Sequence, residues 1–317
     1  MKSLPKTLDD TYARILCNID EEHSKDAFKI LQWLAYSARP LRIDEVAEVI
    51  AVDIEGDSRF DPENRLREPR DILTICSSLV TTAASTIEDY YGNLIEGEEL
   101  RLAHFSVKEY LVSDRVQTGP ASQYTVKKCA DEYIARTCLT YLLHFRGPML
   151  LTSNNIDEYP LARYAAQYWT QHARVAGKEI NPILVQQLSM DLFLSKKDAY
   201  LNCVRLFNPD SNLSNMAMTF ESIVPPLYYA SFTGLLGPAQ QLLEEGADVN
   251  TQGGHFGNPL QAASYRGQDQ IVQRLLEEGA DVNTQGGGYG NALQAASYGG
   301  HDQIVQRLLE KGAVQSP

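Results

Sequence analysis

The clearest pattern of apolar and polar positions lies in the last third of the 317-residue chain. The segment GNPLQAASYRGQDQIVQRLLEEGA, which starts at residue 257, returns almost unchanged from residue 290, and a more divergent copy precedes both. As a result, Leu227, Leu260 and Leu293 recur every 33 residues. Within each copy, apolar residues at helical spacing predict two short helices, and a glycine such as Gly267 lets the chain reverse between them. Because one such unit cannot bury its apolar face alone, we predict that stacked neighbours stabilise one another.

The N-terminal part of the chain follows a different order of elements. Its apolar positions predict a helix over 24–37, a helix over 44–51, a helix over 70–77, a strand over 79–84 and a strand over 100–105, with a turn-rich tip at 89–93 between the strands. Three helices followed by a β-hairpin are the elements of a winged-helix-like domain. The segment from 121 to 207 is predicted to be helical, and 208–223 is polar and rich in turn residues, as in a linker.

The C-terminal units resemble the ankyrin repeat, in which T-P-L-H is followed by A-A, by G-H and by a helix ending in G-A-D-V-N. This chain departs from the pattern in the T-P-L-H motif: the three units carry PPLY from residue 225, NPLQ from residue 258 and NALQ from residue 291. We therefore expect Asn and Gln to form the hydrogen bonds that Thr and His form in the family. The resemblance implies a solenoid of about three repeats, the last one truncated.

Ankyrin arrays bind proteins on a concave surface, and the resemblance places the two residues before each helix-reversing glycine there, together with the loop tips. The positions are Phe232, Thr233, Tyr265, Arg266 and Tyr298, with His255, Phe256 and Tyr289 at the tips. Aromatic residues and arginine are enriched at the energetic centres of protein interfaces. The alternative is that these rings cover neighbouring helices and recur because the repeat was duplicated.

Three segments of the remaining chain resemble those that follow the nucleotide-binding NACHT domain in fungal NOD-like receptors of the STAND class: LPKTLDDTYARIL from residue 4, HFSVKEYL from residue 104 and YPLARYAAQYW from residue 159. In such proteins the winged helix is of the GPI inositol-deacylase type. A histidine at its end contacts the β-phosphate of ADP, which implies a nucleotide-sensing role for His104 in a full-length context. The alternative is structural, with Ser106 and Glu109 forming a capping box.

The sequence lacks the motifs that mark several kinds of chemistry. The chain has no G-x-x-x-x-G-K-[ST] loop, so we expect no nucleotide binding by this chain alone. It has no G-x-S-x-G elbow and no histidine spacing typical of zinc, and we therefore expect no enzyme, no cofactor and no metal. A net charge of −13 disfavours nucleic acid and anionic membranes. Arg65, Arg67 and Arg70 precede the third helix and leave winged-helix DNA binding as a weaker alternative.

Five cysteines without a C-x-x-C pair, and no apolar run long enough to span a membrane, lead us to expect a cytoplasmic protein. We predict a mainly α chain with a post-NACHT helix at 1–23, a winged-helix-like domain at 24–120, a helical connector at 121–207, a linker at 208–223 and ankyrin repeats at 224–317. The predicted function is protein recognition by the ankyrin face, with a regulatory N-terminal half. The main alternative is the regulatory half of a nucleotide switch whose NACHT domain lies outside this chain.

Overall fold

Helices dominate the computed structural model, and one small sheet accompanies them, so the predicted fold class is confirmed. The structure describes residues 7–55, 60–88, 94–126, 129–145, 151–179, 183–194, 198–211, 214–219 and 221–314. The predicted turn at 89–93 lies outside them. The chain divides into two compact units, one made of Met1–His144 and Thr152–Tyr168 and the other of Phe145–Leu151 and Trp169–Pro317. The segment 121–207, predicted to be one connector, is thus shared between the two units.

The first unit contains the sheet and the helices around it. Its elements are α1 (Leu8–Cys17), α2 (Ser24–Tyr36), β1 (Leu41–Arg42), α3 (Ile43–Ile50), α4 (Ile72–Ile75), β2 (Val80–Glu88), β3 (Leu94–Leu102), α5 (Phe105–Leu111), α6 (Asp114–Thr118), α7 (Ala130–Leu142) and the first part of α8 (Ala162–Glu179). The strands are antiparallel in the order β1-β3-β2, with Val80 opposite Leu102 and Leu41 opposite Leu100. The order α2-β1-α3-α4-β2-β3 is that of a winged helix.

Two predicted elements of this unit are shorter or shifted. The third helix, predicted over 70–77, is a 3-10 turn at Pro69–Asp71 followed by one turn of α-helix, α4, which ends at Ile75. Ser77 has a positive φ of 48°, which a right-handed α-helix does not allow, and it begins a second 3-10 turn, Ser77–Leu79. The second strand, predicted over 100–105, begins at Leu94 and ends at Leu102. It ends early because the chain turns there to start α5.

The core of the first unit forms around α2. Ala27, Ile30, Leu31 and Trp33 are completely buried, and the first three lie at the i, i+3 and i+4 spacing of one helical face. The helix packs against α3, α7 and β3. Trp33 contacts the ring of Tyr164 at a centroid distance of 5.3 Å. The amphipathic pattern of this segment therefore marks the centre of the domain.

A buried carboxylate joins three segments of the first unit. Glu48 of α3 is 3% exposed, and its Oε1 accepts hydrogen bonds from the Tyr141 hydroxyl of α7 and from Arg65 Nη2, the latter at 2.6 Å. The Arg65 guanidinium lies 5.6 Å from the ring centres of both Phe60 and Tyr159. Burial, followed by the nearby charge of Glu48, raises the pKa of Tyr141 well above its usual value. A charge buried in this way is tolerated because its partners are fixed around it.

The second unit consists of helices. Its elements are the last part of α8, α9 (Ile183–Leu194), α10 (Asp198–Leu206), α11 (Pro226–Thr233), α12 (Leu236–Glu244), α13 (Pro259–Tyr265), α14 (Asp269–Glu277), α15 (Ala292–Tyr298) and α16 (Asp302–Glu310). Each repeat contributes two helices. The first helices α11, α13 and α15 pack side by side, as do the second helices α12, α14 and α16. The predicted nesting of the 33-residue units is confirmed.

Aromatic side chains cover the first repeat. Tyr229 of α11 lies within 6.2 Å of the rings of Trp169, Phe193 and Tyr200, which belong to α8, α9 and α10. All four rings are at most 4% exposed. The end repeats of a solenoid need a cover on the face that has no neighbouring repeat. In this unit, α8, α9 and α10 provide that cover.

The expected replacement of Thr and His by Asn and Gln is confirmed by the hydrogen bonds. The Asn258 side chain accepts a bond of 2.8 Å from the backbone N–H of Gln261 and so caps α13. Gln261 is 1% exposed, and its Nε2 donates to the carbonyl oxygens of Gly286 at 3.1 Å and Gly290 at 2.9 Å. Asn291 caps α15 in the same way. One amide side chain thus ties the second repeat to the loop that leads into the third.

Replacing Tyr141 by Phe should lower the free energy of unfolding of the first unit by about 1–3 kcal/mol, because a hydrogen bond to a buried carboxylate is lost. In a Trp169→Phe background, Trp33 is the one remaining tryptophan. Its fluorescence during urea unfolding therefore measures the stability of this unit alone. Tyr168→Phe is the control, since its hydroxyl has no hydrogen-bond partner among the residues that the structure describes, and it should change the free energy by less than about 0.5 kcal/mol. Equal losses in both variants would contradict the assigned role of Glu48.

The two equivalent glutamines of the repeats should differ in their effect on stability. Gln261→Ala removes the bonds to the following loop and should cost about 1–3 kcal/mol. Gln294→Ala changes the matching residue of the third repeat, whose side chain donates no hydrogen bond within the described residues, and should cost less than about 0.5 kcal/mol. Urea unfolding in a Trp33→Phe background, followed through Trp169, measures both. A Gln294 variant that is as unstable as the Gln261 variant would show that the amide bonds contribute little.

Candidate partner-binding face of the repeats

Five aromatic rings form a continuous line across the repeats, here called the aromatic row: Phe232, Phe256, Tyr265, Tyr289 and Tyr298. Neighbouring ring centres are 5.2, 4.4, 5.0 and 4.6 Å apart in that order. Rings from the ends of α11, α13 and α15 alternate with rings from the two loop tips. The sequence predicts the 33-residue spacing of the helix rings, and the structure adds that the loop-tip rings lie between them. The distances are typical of favourable aromatic pairs.

Exposure increases along the aromatic row. Phe232 and Phe256 are 6% and 5% exposed, Tyr265 and Tyr289 are partly exposed, and Tyr298 is 71% exposed. The two phenylalanines therefore pack against the repeats, which corrects the expectation that every ring of the set faces outward. Hydrophobic rings in contact on both sides have no remaining surface for a partner. The surface available to a partner is formed by the three tyrosines.

The loop tips are held against each other by their backbones. Gly288 N donates to His255 O at 2.8 Å. Gly287 has a φ of +63°, and a Cβ at this position would lie 2.3 Å from the carbonyl oxygen of Phe256, so only glycine fits. This close approach brings Tyr289 beside Phe256, with the two rings nearly parallel at 5.6 Å. The glycine-rich sequence of the loop therefore sets the position of the Tyr289 ring.

The neighbouring phenols influence the ionisation of Tyr289. The Tyr265 side chain, with further contributions from partial desolvation and from Tyr298, raises the pKa of Tyr289 to about 12. The phenol therefore stays neutral over the physiological pH range. The exposed end of the aromatic row is thus an uncharged surface that offers ring faces and hydroxyl groups.

The other predicted residues of this face have distinct surroundings. The Arg266 guanidinium is exposed and lies 5.0 Å from the centre of the Phe232 ring. The His255 ring is exposed and stands edge-on to Phe256 at 5.0 Å. Thr233 is partly exposed, and its hydroxyl donates to the Tyr229 carbonyl oxygen at 2.7 Å, so it serves its own helix. Arg266 and His255 are the polar groups that border the row.

One residue that anchors this face was not predicted. Asp210 lies in the segment predicted to be a linker, and its carboxylate accepts bonds from the Tyr228 hydroxyl at 2.7 Å and from the His255 backbone N–H at 2.8 Å. Tyr228 occupies the repeat position of Gln261, and its hydroxyl also accepts a bond from the Phe256 N–H at 3.1 Å. Burial, with the charge of Asp210, raises the pKa of Tyr228. No local sequence signal links Asp210 to a loop 45 residues away.

His104 has a structural role at the start of α5. Its Nδ1 accepts a hydrogen bond from the Ser106 N–H at 3.2 Å and lies 2.7 Å from Ser106 Oγ, so His104 is the N-cap of the helix. This corrects the predicted capping box, in which Ser106 would precede the helix. The ring is exposed, next to Phe105 at 4.3 Å, and its Nε2 forms no hydrogen bond within the described residues.

The arginines considered for DNA binding are mostly engaged elsewhere. Arg65 pairs with Glu48, and Arg70 pairs with Glu98 of β3 at 2.6 Å. The helix that would enter the groove has one turn, with Ile72 and Ile75 buried. Among the described residues, no group of three or more histidine, cysteine, aspartate or glutamate side chains is placed to hold a metal ion. No described helix combines the length and the apolar character that crossing a bilayer requires.

Comparison with known proteins identifies both parts of the chain. The family model of the GPI inositol-deacylase winged helix domain matches residues 12–127, and that of ankyrin repeats in three copies matches residues 227–316. A protein of the fungus Monascus ruber, azaphilone pigments biosynthesis cluster protein L, is 40% identical over 278 residues. The similarity covers 82% of this chain and 57% of that relative, so the chain spans little more than half the relative's length. The chain therefore contains a winged-helix domain of the GPI inositol-deacylase type followed by three ankyrin repeats.

Proposed function

We propose that this chain is a protein-recognition module in which the ankyrin repeats bind a partner protein through the exposed end of the aromatic row. The observation that carries the proposal is the group formed by Tyr265, Tyr289 and Tyr298, whose rings all contact one another and whose last member is 71% exposed. Tyrosine is among the residues that most often dominate the energy of protein interfaces, because it offers a large ring and a polar hydroxyl.

The rigidity of this surface supports the proposal. Each exposed tyrosine is fixed by the ring before it in the row, and the row begins on the buried Phe232 and Phe256. A surface that is ordered before binding loses less conformational entropy when a partner arrives. The three tyrosines can therefore contribute most of their contact energy to affinity.

We propose a regulatory or docking role for the winged-helix part and no catalytic activity or bound cofactor for the chain. The arrangement of a winged helix of this type before ankyrin repeats supports a regulatory module. A fungal context is supported by the relative from Monascus ruber. A cytoplasmic location fits the five cysteines, which are free thiols, because disulfides are rare in reducing compartments.

Partner capture should depend on the exposed tyrosines. Affinity purification from a fungal lysate with the full chain, quantified by mass spectrometry, is compared with a Tyr265→Ala and Tyr298→Ala double variant. We expect recovery of the specific partners to fall at least about tenfold, since one interface aromatic contributes on the order of 2 kcal/mol or more. Phe105→Ala is the matched control, because its ring is 69% exposed but belongs to the winged-helix unit.

The double variant should remain folded, because Tyr298 is exposed and Tyr265 is only partly buried, and its thermal unfolding midpoint serves as the check. Unchanged recovery of all partners by a folded double variant would contradict the proposal and would leave the aromatic row as packing. Loss of the same partners in Phe105→Ala would point to the winged-helix unit instead.

A second candidate function is the regulatory half of a nucleotide switch that acts with a NACHT domain outside this chain. The exposed Nε2 of His104 favours it, because Nδ1 is held by the helix N-terminus and Nε2 is left to donate to a phosphate. We expect labelled ADP not to bind the purified chain, as judged by fluorescence anisotropy. Binding that is lost in His104→Ala would favour the switch.

DNA binding, which we do not propose, would appear as a gel shift that weakens steeply with salt.

A further inference from the structure

A cleft of about 570 Å³ opens in the second unit beside the start of α12. One wall is formed by α8 and α9, through residues such as Ala173 and Val185. The other wall is the turn and helix start of the first repeat, Gly234–Pro238, together with Arg266 and Gln268 of the second repeat. All of these residues belong to one compact unit. The volume lies within the range of sites that enclose small ligands or several side chains of a peptide.

The charge of this cleft differs from that of the chain. Two arginines, Arg174 and Arg266, are among the described lining residues, and no aspartate or glutamate is, although the chain carries a net charge of −13. Neither guanidinium forms an ion pair with a carboxylate in the described part of the chain. Two unpaired cations beside one concave surface concentrate a positive potential there. The cleft is therefore suited to an anionic group.

Contacts inside the unit hold Arg266 in place. Its guanidinium lies over the ring of Phe232 at 5.0 Å, a cation–π arrangement, and Phe232 itself is buried. The amide side chains of Gln186 and Gln268 line the same cleft, and Gln186 is fixed by a bond of 3.2 Å from its Nε2 to Gln241 Oε1. The cleft thus combines an oriented guanidinium with amide groups that can donate hydrogen bonds.

The first repeat lacks an acidic residue that the other two share. Asp269 and Asp302 begin α14 and α16, whereas Leu236 begins α12 at the same repeat position. In the second repeat, Asp269 accepts bonds of 3.0 Å from Arg307 Nη2 at both carboxylate oxygens. Without an acid in its first turn, α12 adds the partial positive charge of its N-terminus to the cleft. The departure of the first repeat from its copies therefore strengthens the same potential.

We infer that this cleft binds a short acidic segment of the partner protein, with Arg174 and Arg266 contacting its carboxylates. Guanidinium groups bind carboxylates with paired hydrogen bonds, which give both affinity and orientation. The inference rests on the proposed function, because Arg266 lies on the first ring of the aromatic row and so borders both surfaces. Glu244 and Glu245 line the neighbouring depression along α12, which disfavours a long polyanion and selects a short acidic cluster.

The test uses the full chain and fluorescein-labelled decapeptides of glycine and serine that carry either three consecutive glutamates or three glutamines, at up to about 1 mM protein. We expect fluorescence anisotropy to show binding of the glutamate peptide alone. The double variant Arg174→Gln and Arg266→Gln should weaken it at least about tenfold, because hydrogen bonds to charged groups are lost. Lys311→Gln removes an exposed cation of the third repeat outside the cleft and should leave affinity within about twofold.

A glutamate peptide that binds no better than the glutamine peptide, or that binds the double arginine variant equally well, overturns the inference. An equal loss in Lys311→Gln also overturns it, since the attraction would then be general. Competition by inorganic phosphate and by acetate separates the two anion types: displacement at lower phosphate than acetate concentration replaces the carboxylate assignment by a phosphorylated segment. Because the peptide has no aromatic residue, Tyr298→Ala should not change its affinity. A negative result with the peptide would therefore overturn the acidic-segment inference without contradicting the proposed role of the aromatic row.

Discussion

The close packing of the first helices is the constraint on which the second unit depends. Ala262, Ala263, Ala295 and Ala296 are completely buried between them. Their small side chains let neighbouring helices approach, and dispersion and burial along that contact supply the stabilisation that one repeat cannot provide alone. The spacing of the aromatic rings follows from this packing. Each first helix carries an aromatic residue near its C-terminal end, so the distance between stacked helices sets the distance between these rings. The rings form a continuous row because each loop tip places one more ring between those of neighbouring first helices.

The two ends of the array are treated differently. The first repeat is covered by aromatic rings from α8, α9 and α10, while the last repeat exposes Tyr298 and also Leu309, which is 48% exposed. The covered end fixes the repeats to the preceding helices within one compact unit, and it also creates the walls of the arginine-lined cleft. The two proposed recognition surfaces therefore differ in chemistry, one being neutral and aromatic and the other cationic, and Arg266 lies at the border between them.

Local and periodic features were predictable from the sequence, and long-range ones were not. The 33-residue period fixes the helices of the repeats, and the replacement of Thr and His by Asn and Gln predicts the capping bonds of Asn258 and Asn291. The anchoring of the first loop tip by Asp210 could not be predicted, since no repeat position carries it. The hydrogen bond from Tyr141 to Glu48, 93 residues away, could not be predicted either, because the burial of a charged side chain depends on the whole fold. The capping box predicted from the sequence placed the cap of α5 at Ser106, whereas the N-cap is His104. A cap two residues earlier moves the start of the helix but leaves the spacing of its apolar residues unchanged, so that spacing does not reveal the true cap.

The amide bond from Gln261 to the backbone of the following loop has a consequence for how such a chain changes over time. Gln261 and its acceptors Gly286 and Gly290 lie within one 33-residue period, so a genetic copy of that segment carries both the donor and the acceptors of the junction. Duplication or deletion of a whole segment leaves the hydrogen bonds of the remaining junctions intact, whereas an insertion of any other length separates the donor of a junction from its acceptors. The length of the proposed binding surface can therefore evolve in discrete steps, each made by a single recombination event, with no point mutations needed to restore folding.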